Sequence, residues 1–118
     1  MYRVENKVMQ GMPDVHYIRD GKSGWIELKY MDEWPKKRVT CGLMLSQSLW
    51  LKDYKDHKGR CWILIRIGRD FIGLIDGKDA QEVYNRPSAK DFCELLTWKN
   101  KGNMTDNKWD ELADVIAG

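Results

Sequence analysis

The dipeptide Asp20-Gly21 constrains this chain more than any other feature, because it stands between two runs that read as short β-strands. A tight hairpin turn needs positive φ at its central residues, which glycine adopts freely and aspartate tolerates. The spacing predicts a hairpin over Gly11 to Tyr30, with Ser23-Gly24 closing the turn. Val15, Tyr17, Trp25, Ile26 and Leu28 supply its strand-forming bulk. Side chains alternate across a strand, so Glu27 and Lys29 share one face while Ile26, Leu28 and Tyr30 share the other. Pairing the two strands brings Asp14 near Glu27 at one end. Two carboxylates at close range repel unless a cation offsets them. Mg²⁺ suits such a place, since it takes one or two carboxylates, keeps several waters and accepts phosphate oxygens. Lys29 is then placed to orient a water or to stabilise charge developing on a phosphate. A hairpin with these charges on a solvated face is the alternative reading of the same residues.

Pro13-Asp14 and Glu27-Leu28-Lys29 lie thirteen residues apart, Asp14 to Glu27, within the strings Gly-x-Pro-Asp and Trp-Ile-Glu-Leu-Lys. At these residues the chain resembles the PD-(D/E)XK nuclease superfamily. The form is similar to small phage and archaeal Holliday-junction resolvases and to the VRR-NUC group. The resemblance implies a restriction-endonuclease-like α/β core and Mg²⁺, with Mn²⁺ able to substitute. It implies metal ligation by Asp14, Glu27 and the backbone carbonyl of Leu28, and catalysis by Asp14, Glu27, Lys29 and Gln47. Many relatives open with a helix that supplies one more acidic ligand. The chain is expected to lack that helix, which leaves Glu5, on a Tyr2–Met9 strand beside the hairpin, as the candidate replacement or as a solvated strand residue.

Further along, Pro35 ends regular structure after the second strand. Lys36-Lys37-Arg38 is the densest positive run, read either as a phosphate-contacting nucleic-acid-binding segment or as a solvated loop. A helix is predicted over about Leu43 to Lys58, with Leu43, Leu45, Leu49, Trp50 and Leu51 as its apolar stripe, Ser46 or Thr40 as cap and Gly59 as its end. In the resembled family a Gln before a Trp or Tyr on this helix orients the attacking water or the lysine, and Gln47-Ser48-Leu49-Trp50 matches that placement. Cys61 to Ile67 reads as a central strand buried on both faces, and Phe71 to Ile75 as its antiparallel neighbour. Arg66 is an edge charge or a phosphate ligand. The remainder reads as helical: Asp79 to Tyr84, a helix capped by Ser88 bearing Phe92, Leu95 and Leu96, a loop over 100–103, and a last amphipathic helix capped by Thr105 or Asp106 and bearing Trp109, Leu112, Ala113 and Ile116.

One domain of α/β class with a mixed sheet is expected from the 118 residues. A net charge of only +2 leaves nucleic-acid binding open, because carboxylates elsewhere can mask a local basic face. Cys41, Cys61 and Cys93 are far apart and form no Cys-x-x-Cys pair, which indicates neither a zinc site nor a disulfide framework and fits a reducing, cytoplasmic location (host cytoplasm if viral). No signal peptide or membrane span is read. His16 shares a strand face with Asp14, and His57 sits at a helix end. The expected function is a Mg²⁺-dependent, structure-selective DNA endonuclease of Holliday-junction-resolvase type, acting in phage recombination, replication or repair. A homodimer would use Trp34, Trp98 and Trp109 as interface material and act on branched DNA. A flap or single-strand nuclease, or an inert nucleic-acid-binding module, are the other readings.

Overall fold

The structure, a computed structural model, describes residues 2–3 as backbone and residues 11–118 in full. Among the described residues, six strands form one sheet in sequence order: β1 (Tyr2–Arg3), β2 (Val15–Arg19), β3 (Lys22–Met31), β4 (Cys61–Ile67), β5 (Phe71–Asp76) and β6 (Leu96–Lys101). Every neighbouring pair is antiparallel except β3 and β4, which run parallel. A parallel pair needs a crossover, and helix α1 (Leu45–Asp56) supplies it. A 3-10 turn (Gly77–Asp79), α2 (Ala80–Tyr84) and α3 (Ala89–Leu95) follow β5, and α4 (Asp106–Ala117) follows β6. The domain is therefore mixed α/β, as its strand and helix patterns predict.

The hairpin forms for the reason given by its turn. Asp20 and Gly21 have φ of 52° and 77°, and Arg19 pairs directly with Lys22 across the two-residue loop. Ser23 and Gly24 lie within β3 instead of closing the turn. Gly24 is needed there because Tyr17 and the Arg60 carbonyl crowd its α-carbon: an added Cβ would stand 2.5 Å from the Tyr17 hydroxyl. Of the predicted Tyr2–Met9 strand, Tyr2–Arg3 pairs with Val15–His16, and the remainder, Glu5 included, lies outside the described residues.

Two apolar layers sandwich the sheet. On the front, Ile63, Ile65, Ile67, Phe71 and Ile75 pack with Val39, Leu51, Val83 and Phe92. On the back, Val15, Tyr17, Ile26 and Leu74 pack with Leu112 and Ile116 of α4. Strand β4 is central but not buried on both sides. Its odd positions are buried, whereas Trp62 and Leu64 are half-covered and Arg66 is exposed, because α4 shields only part of the back face. Leu28 is likewise 41% exposed and not a core residue. The segment after α3 is not all helix. Leu96–Lys101 adds the sixth strand by pairing with β5, since otherwise the β5 backbone would present an open edge. Trp34 meets Phe71 and Phe92 edge-on at 4.8 and 6.1 Å, and Trp98 packs into the back layer, so both serve this chain's own core. Ser88 and Thr105 cap α3 and α4 by accepting from Asp91 N–H and Lys108 N–H.

The C-terminal end of α4 is tied to the hairpin by hydrogen bonds. Tyr17 donates to the Ile116 carbonyl at 3.0 Å and accepts from Trp62 Nε1 at 3.4 Å, while Arg60 donates to the Ala117 carbonyl at 2.7 Å. Burial pushes the Tyr17 phenol's pKa upward, so it remains a donor at neutral pH. Replacing Tyr17 by Phe is expected to cost about 1–2 kcal/mol, the usual effect of stranding buried partners. Urea denaturation reads this directly; an unchanged midpoint would show that the latch contributes nothing.

Candidate active site

The site is built where β2 ends beside the middle of β3. Val15 pairs with Ile26, so Asp14 arrives opposite Glu27. Asp14 Oδ2 accepts the Leu28 N–H at 3.0 Å. Residue 28 therefore faces the β2 edge, and its carbonyl points to the same side, because N–H and C=O of one strand residue project together. Residues 25 and 31 make the complementary bonds toward β4, with Trp25 N–H donating to the Arg60 carbonyl and the Met31 carbonyl accepting from Gly68 N–H. Beyond Asp14 the Leu28 carbonyl borders the end of β2.

Glu27 and Lys29 project to the front face, under the first turn of α1. Glu27 is only 1% exposed. Its Oε2 accepts from Gln47 Nε2 at 2.9 Å and lies 3.2 Å from Lys29 Nζ. Lys29 Nζ also donates to Gln47 Oε1 at 3.0 Å and to the Gly42 carbonyl at 3.3 Å. The Gln47 amide has only one workable orientation here. Lys29 and the Met44 N–H are donors and must meet Oε1, which leaves Nε2 for the Glu27 carboxylate. Asp14, Glu27, Lys29 and Gln47 are thus brought together as the sequence predicts.

Helix α1 differs from the sequence pattern in which face it buries. Gln47, Ser48 and Leu51 are buried, while Met44, Leu45 and Leu49 are each more than half exposed. Leu43, Leu51 and Trp50 of the expected stripe still pack into the front layer, but Leu45 and Leu49 turn outward because Gln47 must reach the Glu27–Lys29 pair. The cap differs as well. Neither Ser46 nor Thr40 caps this helix; Met44 is the N-cap, and the Gln47 side chain satisfies its backbone N–H. At the other end Lys58, with φ of 65°, takes the left-handed position that precedes Gly59.

Gly11 explains the glycine of the Gly-x-Pro-Asp string. It has φ of 86°, and a Cβ there would stand 2.3 Å from the Ser46 carbonyl oxygen. The loop leading to Asp14 therefore rests directly on the α1 backbone. This contact, the Gly42 carbonyl and buried Cys41 are parts of the site that residue patterns do not reveal; only the crossover brings them in. Burial raises the pKa of Cys41, and Glu27 adds to the rise while Lys29 opposes it, so the thiol is not poised as a nucleophile. His16 lies on the same face and packs against Trp25, with ring centres 4.7 Å apart. His57 caps the far end of α1 by contacting the Asp53 carbonyl and stands apart from the cluster. Arg66 bonds the Gly68 and Arg69 carbonyls on the opposite sheet face, so it is an exposed charge on that face and not a neighbour of Glu27.

The donor set fits a Mg²⁺-like ion. Asp14, Glu27 and the Leu28 carbonyl offer only hard oxygens, and Mg²⁺ needs no more than one or two carboxylates from the protein. Among the described residues no three His, Cys, Asp or Glu side chains converge, so any third carboxylate would come from outside them. Fold and site together define a mixed α/β domain carrying a buried carboxylate–lysine–glutamine cluster. No family model matches the chain, and no curated protein matches it.

Gly11→Ala is expected to destabilise the fold by more than about 1 kcal/mol, because it combines a strained φ with a clash against backbone that cannot yield. Thermal denaturation checks this, and a wild-type midpoint would show that the loop does not need its close seat on α1.

Proposed function

We propose that this chain is a metal-dependent, structure-selective DNA endonuclease of PD-(D/E)XK type, similar to the Holliday-junction resolvases. One observation carries the reading: the Gln47 amide bridges Glu27 and Lys29 beside an Asp14 fixed to the Leu28 N–H. This agreement of three separate segments is what the short motif alone lacks. Asp14, Glu27 and the Leu28 carbonyl would hold the ion. When bound, it supplies charge for the phosphodiester oxygens and lowers the pKa of a water. Lys29 and Gln47 then act as fixed donors. The attacking water loses a proton as its oxygen bonds phosphorus, and the leaving oxygen gains one as its bond to phosphorus breaks. Lys29 faces the charge that builds on the phosphoryl oxygens, and Gln47 holds Lys29 and Glu27 in register for it.

The chemistry is tested with a labelled four-way junction in Mg²⁺. Asp14→Asn and Glu27→Gln are each expected to abolish cleavage while binding persists or tightens, since each removes a ligand and a charge facing phosphate. Lys29→Ala is expected to stop turnover and also to destabilise the fold by about 3 kcal/mol, because it strips the cation from a buried carboxylate. The double variant Glu27→Gln with Lys29→Met removes both charges and should fold yet not cut. Wild-type rates in either single carboxylate variant would sink the assignment.

The working unit in this reading is a homodimer. Leu28, Tyr30 and Trp109 are exposed together with Arg66 along one groove on the back face, floored by buried Ile72, in the part α4 leaves uncovered. A two-fold dimer also supplies the paired nicks that resolving a junction requires. Sedimentation at micromolar concentration should give twice the 13.9 kDa chain mass. A monomer mass, with only nicked cruciform plasmid as product, would instead favour a flap or single-strand nuclease. A specific feature supports that second reading: His16, Trp25, Trp50 and Tyr54 form a row of ring contacts beside the cluster, material on which unpaired bases stack.

A further inference from the structure

Two basic segments that are far apart in sequence meet in the fold. Arg38 forms an isolated antiparallel bridge with Ser88, and Val39 N–H donates to the Pro87 carbonyl at 2.8 Å. The Arg38 guanidinium donates to the Arg86 carbonyl at 2.8 Å. The antiparallel sense then carries Lys37 and Lys36 toward Ala89 and Lys90. Lys36, Lys37, Arg38, Arg86 and Lys90 are all exposed. None of these five joins an ion pair among the described residues, whereas Arg19, Lys52, Lys55 and Lys108 are matched by Asp114, Asp56, Asp76 and Glu111. Glu82, Asp91 and Glu94 line the adjoining groove with Asn85, Pro87 and Leu95, and none of the five cations lines it.

Arg86 adds an independent sign. Its φ is 59°, in the left-handed region that suits glycine or asparagine and that an arginine adopts at a cost. Glycine would take this φ with less strain, so the arginine side chain is not needed for the turn itself. The patch is also close to the catalytic cluster. Arg38 precedes Gly42 by four residues, and the Gly42 carbonyl holds Lys29 Nζ at 3.3 Å. Four steps of chain span at most about 15 Å. Along one strand of duplex that distance carries roughly four phosphates.

We infer that Lys36, Lys37, Arg38, Arg86 and Lys90 form one phosphate-backbone site that holds a duplex arm of the DNA beside the catalytic cluster, an inference that rests on the nuclease reading. Unmatched cations spaced along a surface bind a polyanion by displacing its condensed counterions, without reading sequence. The Lys36–Arg38 run is thus one half of a surface whose other half lies on the far side of α1 and β5 in sequence.

The test is fluorescence anisotropy with a labelled four-way junction and a labelled linear duplex, from about 50 to 200 mM salt, in an Asp14→Asn background so that nothing is cut. Arg86→Gly is expected to be at least as stable as its parent, because glycine accommodates that φ. It should nonetheless bind both DNAs several-fold more weakly and lower the slope of log affinity against log salt by about one. The double variant Lys36→Gln with Lys37→Gln, on a loop with no structural bond to lose, should lower the slope by about two. It provides the reading if Arg86→Gly fails to fold. Unchanged affinity and slope in folded variants would overturn the inference while leaving cleavage by the wild type, and so the nuclease reading, standing. Failure of the parent to bind either DNA would overturn both.

Discussion

The structure depends on a charged pair in a place that water hardly reaches. Glu27 and Lys29 stand on adjacent same-face positions of a central strand, with side chains 2% and 13% exposed. Removing a carboxylate and an ammonium from water costs several kcal/mol each, and their attraction repays this only where further hydrogen bonds complete the geometry. Gln47 provides them by donating to one ion and accepting from the other, and the Gly42 carbonyl accepts from the lysine as well. These partners fix the position of Lys29. A pair so placed stabilises the fold poorly compared with two apolar residues of the same volume. In the proposed nuclease reading, the pair is present for its chemistry and not for stability.

That demand reaches back into α1. The helix turns Gln47 and Ser48 inward and Leu45 and Leu49 outward, against the pattern that periodicity favours. Met44 occupies a cap position where serine or aspartate would hold the helix better. The Gln47 side chain repairs part of that loss through the Met44 N–H, so one residue serves as both cap partner and ion bridge. Conflicts between local preference and global fold concentrate at sites with a task, and α1 contains two in its first turn.

The parts of this fold legible in the sequence were those set by local physics. Asp20-Gly21 specified the hairpin and its register, which in turn placed Asp14 against Glu27. The Ser88 and Thr105 caps were readable for the same reason. What escaped was decided by partners distant in sequence. Leu96-Thr97-Trp98-Lys99-Asn100-Lys101 has the alternation of an edge strand, yet the apolar spacing around Phe92 and Leu95 ran on into Leu96 and masked the change of period. The buried face of α1 could not be chosen from periodicity, because both an apolar and a polar stripe were present and the site drew Gln47 inward beside Leu51. Gly42 and Cys41 carry no motif at all; they belong to the cluster because the crossover passes there.

Among the described strands, the parallel pairing of β3 with β4 is what draws the crossover, and with it α1, over the site. The β2–β3 hairpin closes over a two-residue loop, so the Asp14–Leu28 contact belongs to structure that local contacts can hold. Pairing β3 with β4 requires the whole crossover from Met31 to Cys61 to close first, and loop closure of that length precedes any reward from the contacts it permits. Glu27 is covered by the same helix that brings Gln47 to it. The reverse also holds: a local opening that lifts the first turn of α1 rehydrates Glu27 and Lys29 and takes away the seat of the Gly11 loop that leads to Asp14.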